Sequence, residues 1–490
     1  MKKNTQRIFF WGIAISFCIT NISAQSPDTL WTKTYGGIED DEGFAVQQTS
    51  DGGYIIVGYT ESYGIGERDV YLIKTDVNGY TSWTKTYGGA HNEWGNSVQQ
   101  TSDGGYILTG LTSSFGAGSG DIYLIKTNAN GDTLWTKTFG WEYDESGNSV
   151  KQTRDGRYII VGYEGMPPSR NVYLIKTNAD GGRQWYRTFQ VGYADDVGYS
   201  IQQTSDFGFI IAGYTGWTYQ NHDVYLVKTD SLGNISWSNT VGGSDDEQGF
   251  SMQITSDGGY IIVGFTKSFG AGEEDVYLIK TNSSGDTLWT RTYGGTATDI
   301  GYSVQQTPDN GYIIAGFTES FGAGSGDVYL IRTNANGDTL WTKTYGGVNQ
   351  DTGFSVQITS DLGYIIAGAT RSFGQGLTSV WLIKTEPDIG IEEKEPSQKD
   401  FFISRIEPNP FSDKTLIKYE LPKSTNVQIM IYNLLGEEIR TLVKQKQNIG
   451  RNDVIWNGEN NANKKVPNGI YFLRLTAGNH SSTIRLIKIR

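Results

Sequence analysis

The chain has 490 residues, rich in Gly (64), Tyr (30), Phe (20) and Trp (13), with a single Cys and a formal net charge of −13. Helix formers are scarce beside these glycines and aromatics, which favour many short strands joined by tight turns. Residues 25–400 carry 23 basic and 46 acidic side chains, against 14 and 7 in 401–490; so acidic a body repels phosphates, which argues against nucleic acid, and permits cations or cationic partners.

Residues 1–24 have the order of a secretory signal peptide: Lys2, Lys3 and Arg7, the apolar run Ile8 to Ile19, then Ile22-Ser23-Ala24 before Gln25. The apolar run is short for a membrane span. The only cysteine, Cys18, lies inside this segment. The mature chain would therefore have no disulfide and no cysteine metal site, and its stability outside the cell must come from packing.

A tryptophan recurs at Trp31, Trp83, Trp135, Trp185, Trp237, Trp289 and Trp341, at spacings of 52, 52, 50, 52, 52 and 52. Seven copies at that period predict a propeller or an open solenoid. Each copy divides into four strand-like pieces, in the second copy 97–101, 106–111, 121–127 and 133–139. Asp-Gly and Asn-Gly pairs separate the first from the second and the third from the fourth, and these pairs tolerate the positive φ of tight hairpins. The second piece, Tyr-Ile-Ile-Val-Gly at Tyr54 to Gly58, is apolar at successive positions, as expected of a strand covered on both faces by neighbouring blades. A tryptophan strand stands alone at 29–35 before any complete repeat, and the last repeat ends at Val380-Trp381-Leu382-Ile383 without one. The first strand can complete the last blade, giving an all-β, seven-bladed propeller over 25–385 with four antiparallel strands per blade and no free edge.

The order of a glycine-containing inner strand, Tyr-Ile-Ile-Val-Gly, Asp-Val-Tyr-Leu, a turn and Trp resembles the kelch repeat. Asp76, Gly79 and Trp83 are similar to the tryptophan-docking hairpin of quinoprotein-like propellers. The kelch double glycine is a single Gly58 here, and no quinone-binding arginine pattern matches. The resemblance therefore implies the architecture and not the cofactors.

In this strand order, the loop between strands two and three shares a face with the loop leading into the next inner strand. That loop face holds the sequence variety and is the candidate binding surface. A carboxylate stands two residues before each inner-strand glycine: Asp41, Glu93, Glu145, Asp196, Glu247, Asp299 and Asp351. These could ring the channel mouth and attract a cation, calcium for example, or accept turn N–H groups as part of the repeated backbone. An aromatic recurs in the second loop at Tyr63, Phe115, Trp217, Phe269, Phe321 and Phe373, able to stack on sugars or to wedge between blades. Asymmetry is the sharper clue, because a ligand breaks symmetry. The third copy replaces Ser-Phe-Gly-Ala-Gly with residues 165–170 (GMPPSR), and the fourth has Trp217, Tyr219 and His222, with Trp94, Trp141, Tyr143, Tyr193 and His91 nearby. This sector between blades two and four is where a glycan or peptide is expected. No nucleophile elbow or metal-ligand spacing occurs; adjacent acids such as Asp195–Asp196 leave a polysaccharide-active enzyme as the alternative, and a structural surface protein as a third. No cofactor is implied, and the protein is expected to be a monomer.

Residues 386–400 read as a charged linker. From 401 to 490 short alternating strands suit an immunoglobulin-like sandwich. Pro408-Asn409-Pro410-Phe411, Tyr419-Glu420-Leu421-Pro422, Gly436, Trp456-Asn457-Gly458, Gly469-Ile470-Tyr471 and the basic end with Lys488 closely resemble the C-terminal type A sorting domain of the type IX secretion system. The resemblance implies a secreted or surface location. It also implies, as partners, the translocon and its sorting protease, and attachment to surface lipopolysaccharide or release.

Overall fold

The computed structural model describes residues 26–167, 169–190, 195–216, 221–388, 402–421, 423–433, 436–477 and 480–489. The chain divides into two compact units, residues 1–389 and 390–490, and all regular structure among the described residues is β-strand.

The first unit contains seven four-stranded antiparallel sheets, the blades of a propeller. Blade 2 shows the plan: Glu93–Gln100 innermost, then Tyr106–Thr112, Asp121–Thr127 and Thr133–Phe139 outermost. The inner strand starts four residues earlier than its apolar pattern suggests. A bulge between Gly95 and Ser97 shifts the register there, and a bulge breaks the alternation on which a sequence reading depends. The middle two strands are buried at almost every position, as expected of a sheet pressed between two others.

Blade 7 is closed by both ends of the ring. Thr29–Tyr35 pairs antiparallel with Ser379–Thr385, with Thr32 opposite Ile383 and Tyr35 opposite Val380. Residues 386–388, expected in the linker, are tied to the ring instead: Glu386 N–H donates to Asp28 O at 2.8 Å, and the Asp388 carboxylate meets Arg332 Nε at 2.9 Å.

Successive blades are keyed together by the repeated tryptophan. Gly131, in the outer hairpin of blade 3's neighbour blade 2, has φ +77°, and a Cβ there would lie 2.7 Å from the Trp83 ring of blade 1. Only glycine satisfies both the turn and this approach. Trp83 in turn meets Tyr106 edge-on at 5.9 Å, and Tyr87 Oη donates to Gly131 O at 2.6 Å. The same Trp-on-Gly contact recurs at Gly79, Gly181, Gly233, Gly285 and Gly337.

The second unit is an immunoglobulin-like sandwich of a three-stranded and a four-stranded sheet. Its core gathers Phe411, Tyr419, Trp456, Tyr471 and the inward aliphatics between them. The motif residues converge on the last strand, His480–Lys488. Asn409 receives Ile487 N–H and donates to Arg485 O, both at 2.8 Å. Lys488 Nζ donates to Asn468 at 3.2 Å, and a Cβ on Gly458 would lie 2.9 Å from the Lys488 stem. Trp456 Nε1 donates to Glu459 O and Tyr471 Oη to Pro467 O. Thr415 Oγ1 donates to Pro408 O, Pro410 precedes the buried Phe411, and Gly436 (φ +76°) and Gly469 (φ +155°) take conformations that a side chain would strain.

Candidate functional site

The seven carboxylates do not form an open ring at the channel mouth. Asp41, Glu93, Glu145, Asp196, Glu247, Asp299 and Asp351 are all at most 1% exposed. Glu93 shows why: one oxygen accepts Gly89 N–H at 2.8 Å, the other accepts the Thr112 hydroxyl at 2.8 Å and Ser114 N–H at 3.0 Å. Its backbone N–H reaches Arg68 O of the preceding blade at 2.9 Å. The carboxylate thus fastens two loops of its own blade while its backbone fastens the seam, which accounts for its presence in every copy. Among the described residues no three acidic, His or Cys side chains gather as a metal centre.

Blade 3 departs from this plan. Glu164 stands where the other blades place threonine, directly opposite Glu145 in the register. Burial, together with Asp121, Glu164 and Asp144, outweighs the Trp141 N–H and pushes the Glu145 carboxyl up to about 7. A carboxyl raised on folding adds stability that is fully present below its unfolded value and lost as pH rises through the folded one. Glu164→Thr should restore the missing hydroxyl donor, raising the melting temperature at pH 8 by a few degrees and leaving it almost unchanged at pH 4.5; an equal shift at both would refute the coupling.

The loops around this pair change together. In blade 2, Gly89 packs on Ser114 and Phe115, and a Cβ there would approach both within 3.1 Å. Blade 3 lacks the Ser-Phe pair, and the glycine's counterpart is Trp141, which is 49% exposed beside Tyr143 at 58%. The Arg183 guanidinium lies 5.5 Å from the Trp141 ring. The regular second-loop aromatics do not wedge between blades. Tyr63, Phe115, Phe269, Phe321 and Phe373 each lie on a third-strand ring of their own blade at 5.2–5.9 Å, with the other side in solvent.

Of the remaining residues expected to contact a ligand, Tyr193, Trp217 and Tyr219 lie outside the described residues. Trp94 is partly buried on the inner strand, with the Arg68 guanidinium 5.5 Å from its ring and 4.6 Å from Tyr59. His91 is exposed. His222 is a correction: it is only 5% exposed, its Nδ1 lies 3.1 Å from Asp246 Oδ1, and its ring meets Tyr214 edge-on at 4.8 Å. It occupies the column of Arg68 and Arg170, and that column fills the seams. Arg170 bridges Asp195 with two bonds of 2.9 and 2.6 Å, donates to Tyr214 Oη at 2.6 Å and sits over Tyr163. Against the burial that would raise it, the guanidinium holds the Asp195 carboxyl below the usual range. Asp195 therefore serves as a seam ion pair.

The channel holds a feature the motif reading missed. The residue after each inner-strand glycine forms a belt: Tyr199, Phe250, Tyr302, Phe354 and Phe44 stand ring against ring at 5.2–5.5 Å. Blades 2 and 3 interrupt it with Asn96 and Asn148, whose amides donate to Gly147 O and Gly198 O of the next blade. The signal was one column of the repeat, aromatic in five copies and Asn in two. The channel is therefore polar on the side where the loop face is irregular.

In comparison with known proteins, the family match lies in the second unit. Residues 411–481 match the family model of the FlgD Ig-like domain. The regulatory protein FlaEY of Caulobacter vibrioides is 27% identical over 114 residues, which are 21% of this chain and 12% of that protein. Among solved structures, PorZ, a surface component of the type IX secretion system of Porphyromonas gingivalis, has a TM-score of 0.43 at 12% identity, covering 93% of this chain and 60% of PorZ. A fungal alcohol oxidase solved with copper gives 0.48 at 12%, covering 95% and 100%. An ulvan lyase solved with a bound saccharide gives 0.47 at 10%, covering 72% and 97%. At such identities and scores these likenesses say nothing of ligand or chemistry.

Proposed function

We propose that the chain is a secreted or cell-surface propeller that binds an extracellular glycan or peptide on the loop face between blades 2 and 4. Its passage begins with the signal peptide at 1–24 and ends through the type IX translocon, which reads the C-terminal sandwich. The sorting protease and surface lipopolysaccharide are partners at that last step, and the mature protein acts as a monomer. The observation that carries the binding site is the joint change in blade 3. The Ser-Phe pair and the glycine that packs on it are lost together, and two large aromatics stand open in their place. Exposed Trp and Tyr offer rigid stacking area at small entropic cost.

The mature chain screened against immobilised glycans and peptides should retain one class, and Trp141→Ala with Tyr143→Ala should weaken that binding at least about tenfold, since such anchors are worth about 1–3 kcal/mol. Self-assembly without any binding would instead identify a structural surface protein. Release of sugar fragments from a polysaccharide by the mature chain would instead establish the second reading, a polysaccharide-active enzyme.

A further inference from the structure

The wall of the channel is stitched from blade to blade by side chains. In six seams a glutamine carbonyl of one inner strand accepts a backbone N–H of the next: Gln47 from Gln100, Gln99 from Gln152, Gln202 from Ile254, Gln253 from Gln306, Gln305 from Ile358 and Gln357 from Gln48. A second row uses serine hydroxyls, for example Ser303 accepting Val356 N–H at 3.1 Å. At the seam of blades 3 and 4 the glutamine is replaced by Lys151, the single basic residue on the seven inner strands.

A lysine ammonium donates and cannot accept, so Gln203 N–H has no glutamine oxygen to meet. Lys151 is partly buried and makes no hydrogen bond or ion pair with any described residue. Burial pushes its ammonium pKa down, and no neighbouring charge offsets this. The serine bond is also lacking here, since Ser149 accepts nothing from Ile201. Lys151 leaves the inner strand at the position from which those glutamines reach across, so by the column this seam has two donors, its ammonium and Gln203 N–H, where every other seam has one oxygen, on the channel side where Asn96 and Asn148 interrupt the aromatic belt. An unpaired cation and an unmet N–H in a partly desolvated wall are both costly, and an oxygen anion of the right size would satisfy both.

We propose that the channel wall between blades 3 and 4 binds a carboxylate, one oxygen of which takes the position of the missing glutamine carbonyl, accepting from Gln203 N–H and pairing with Lys151. The carboxylate is that of a uronic acid or of a peptide C-terminus. The inference is independent of the loop-face reading, because it concerns other residues.

The test uses the mature chain, with glucuronate and alanylalanine as the two carboxylate probes and glucose and chloride as controls at matched ionic strength. Calorimetry should show saturable binding of a carboxylate and of neither control. At a ligand concentration about 100 times Kd the melting temperature should rise by about 4 °C. The probe that binds more tightly identifies the source. Lys151→Gln, which completes the seventh stitch, should raise the melting temperature without ligand and weaken carboxylate binding at least tenfold, whereas Lys151→Arg should retain it. Equal binding by Lys151→Gln, equal effects of chloride, or no response of the wild type to either carboxylate would overturn the proposal.

Discussion

Removal of residues 25–36 should lower the melting temperature of the ring by about 10 °C. The segment supplies the outer strand of blade 7, paired with Ser379–Thr385 along six residues, and it reaches both neighbouring blades. Trp31 packs edge-on against Tyr54 at 5.9 Å, Tyr35 Oη donates to Gly79 O at 2.7 Å, and Lys343 of blade 6 donates to Pro27 O at 2.7 Å. At about 1 kcal/mol for each net hydrogen bond, with the tryptophan contact added, the loss is about 5 kcal/mol. In a domain larger than 250 residues, each kcal/mol moves the melting temperature by about 2 °C or less. Thermal unfolding followed by circular dichroism measures it, and a synthetic peptide of residues 25–36 added in trans should restore part of the loss. An unchanged transition would mean that blade 7 stands without its fourth strand and that the ring gains nothing from closure.

The tryptophan period and the two unmatched ends made the closed ring legible, because they follow from counting strands. The doubly buried second strand was equally plain from Tyr54 to Gly58. What the chain did not disclose was direction. Asp41 and its six counterparts read as rim ligands or as turn acceptors from sequence alone, and only their burial and bonds decide between the two. His222 looked like an exposed aromatic of an irregular loop, yet a bond to Asp246 from the neighbouring blade draws it inside; a contact between residues 24 apart in different sheets leaves no local pattern. Lys151 breaks one column of the repeat that no motif singled out, and its meaning needed the six glutamine bonds of the other seams.

Acid should unfold the propeller through a device repeated in every blade. In the hairpin between the inner and second strands, an aspartate accepts the hydroxyl of the threonine two residues before it and the backbone N–H two residues after it, a glycine in six blades and Arg157 in blade 3, and pairs with a cation from the third strand. Thr101, Asp103, Gly105 and Lys126 show the arrangement in blade 2, with Lys126 Nζ 2.9 Å from Asp103. Burial alone would raise these carboxyls; the threonine, the cation and the backbone N–H outweigh it in all seven, and bring Asp51, Asp206 and Asp257 to about 2. The folded pKa lies below the unfolded one, so the stability is present above about pH 4 and is lost as pH falls towards 2. The cations are 3–10% exposed but the aspartates 38–63%. Solvent screening therefore reduces each site to about 0.5 kcal/mol, and seven together to about 3–4 kcal/mol.

The opposite trend comes from acids that are buried or partly buried in the propeller. Asp69, Asp121, Asp223 and Asp327 are raised, chiefly by burial, and Glu145 is raised to about 7; their contribution is lost as pH rises above the unfolded carboxyl range, for Glu145 through about 7. The two sets place the maximum of stability between about pH 4 and 6. Melting temperatures measured from pH 2 to 8 should fall on both sides of that window, and Asp257→Asn should flatten the acid limb by about one seventh. A temperature still climbing from pH 6 to 8, or level between 4 and 2, would show that neither set governs the ring.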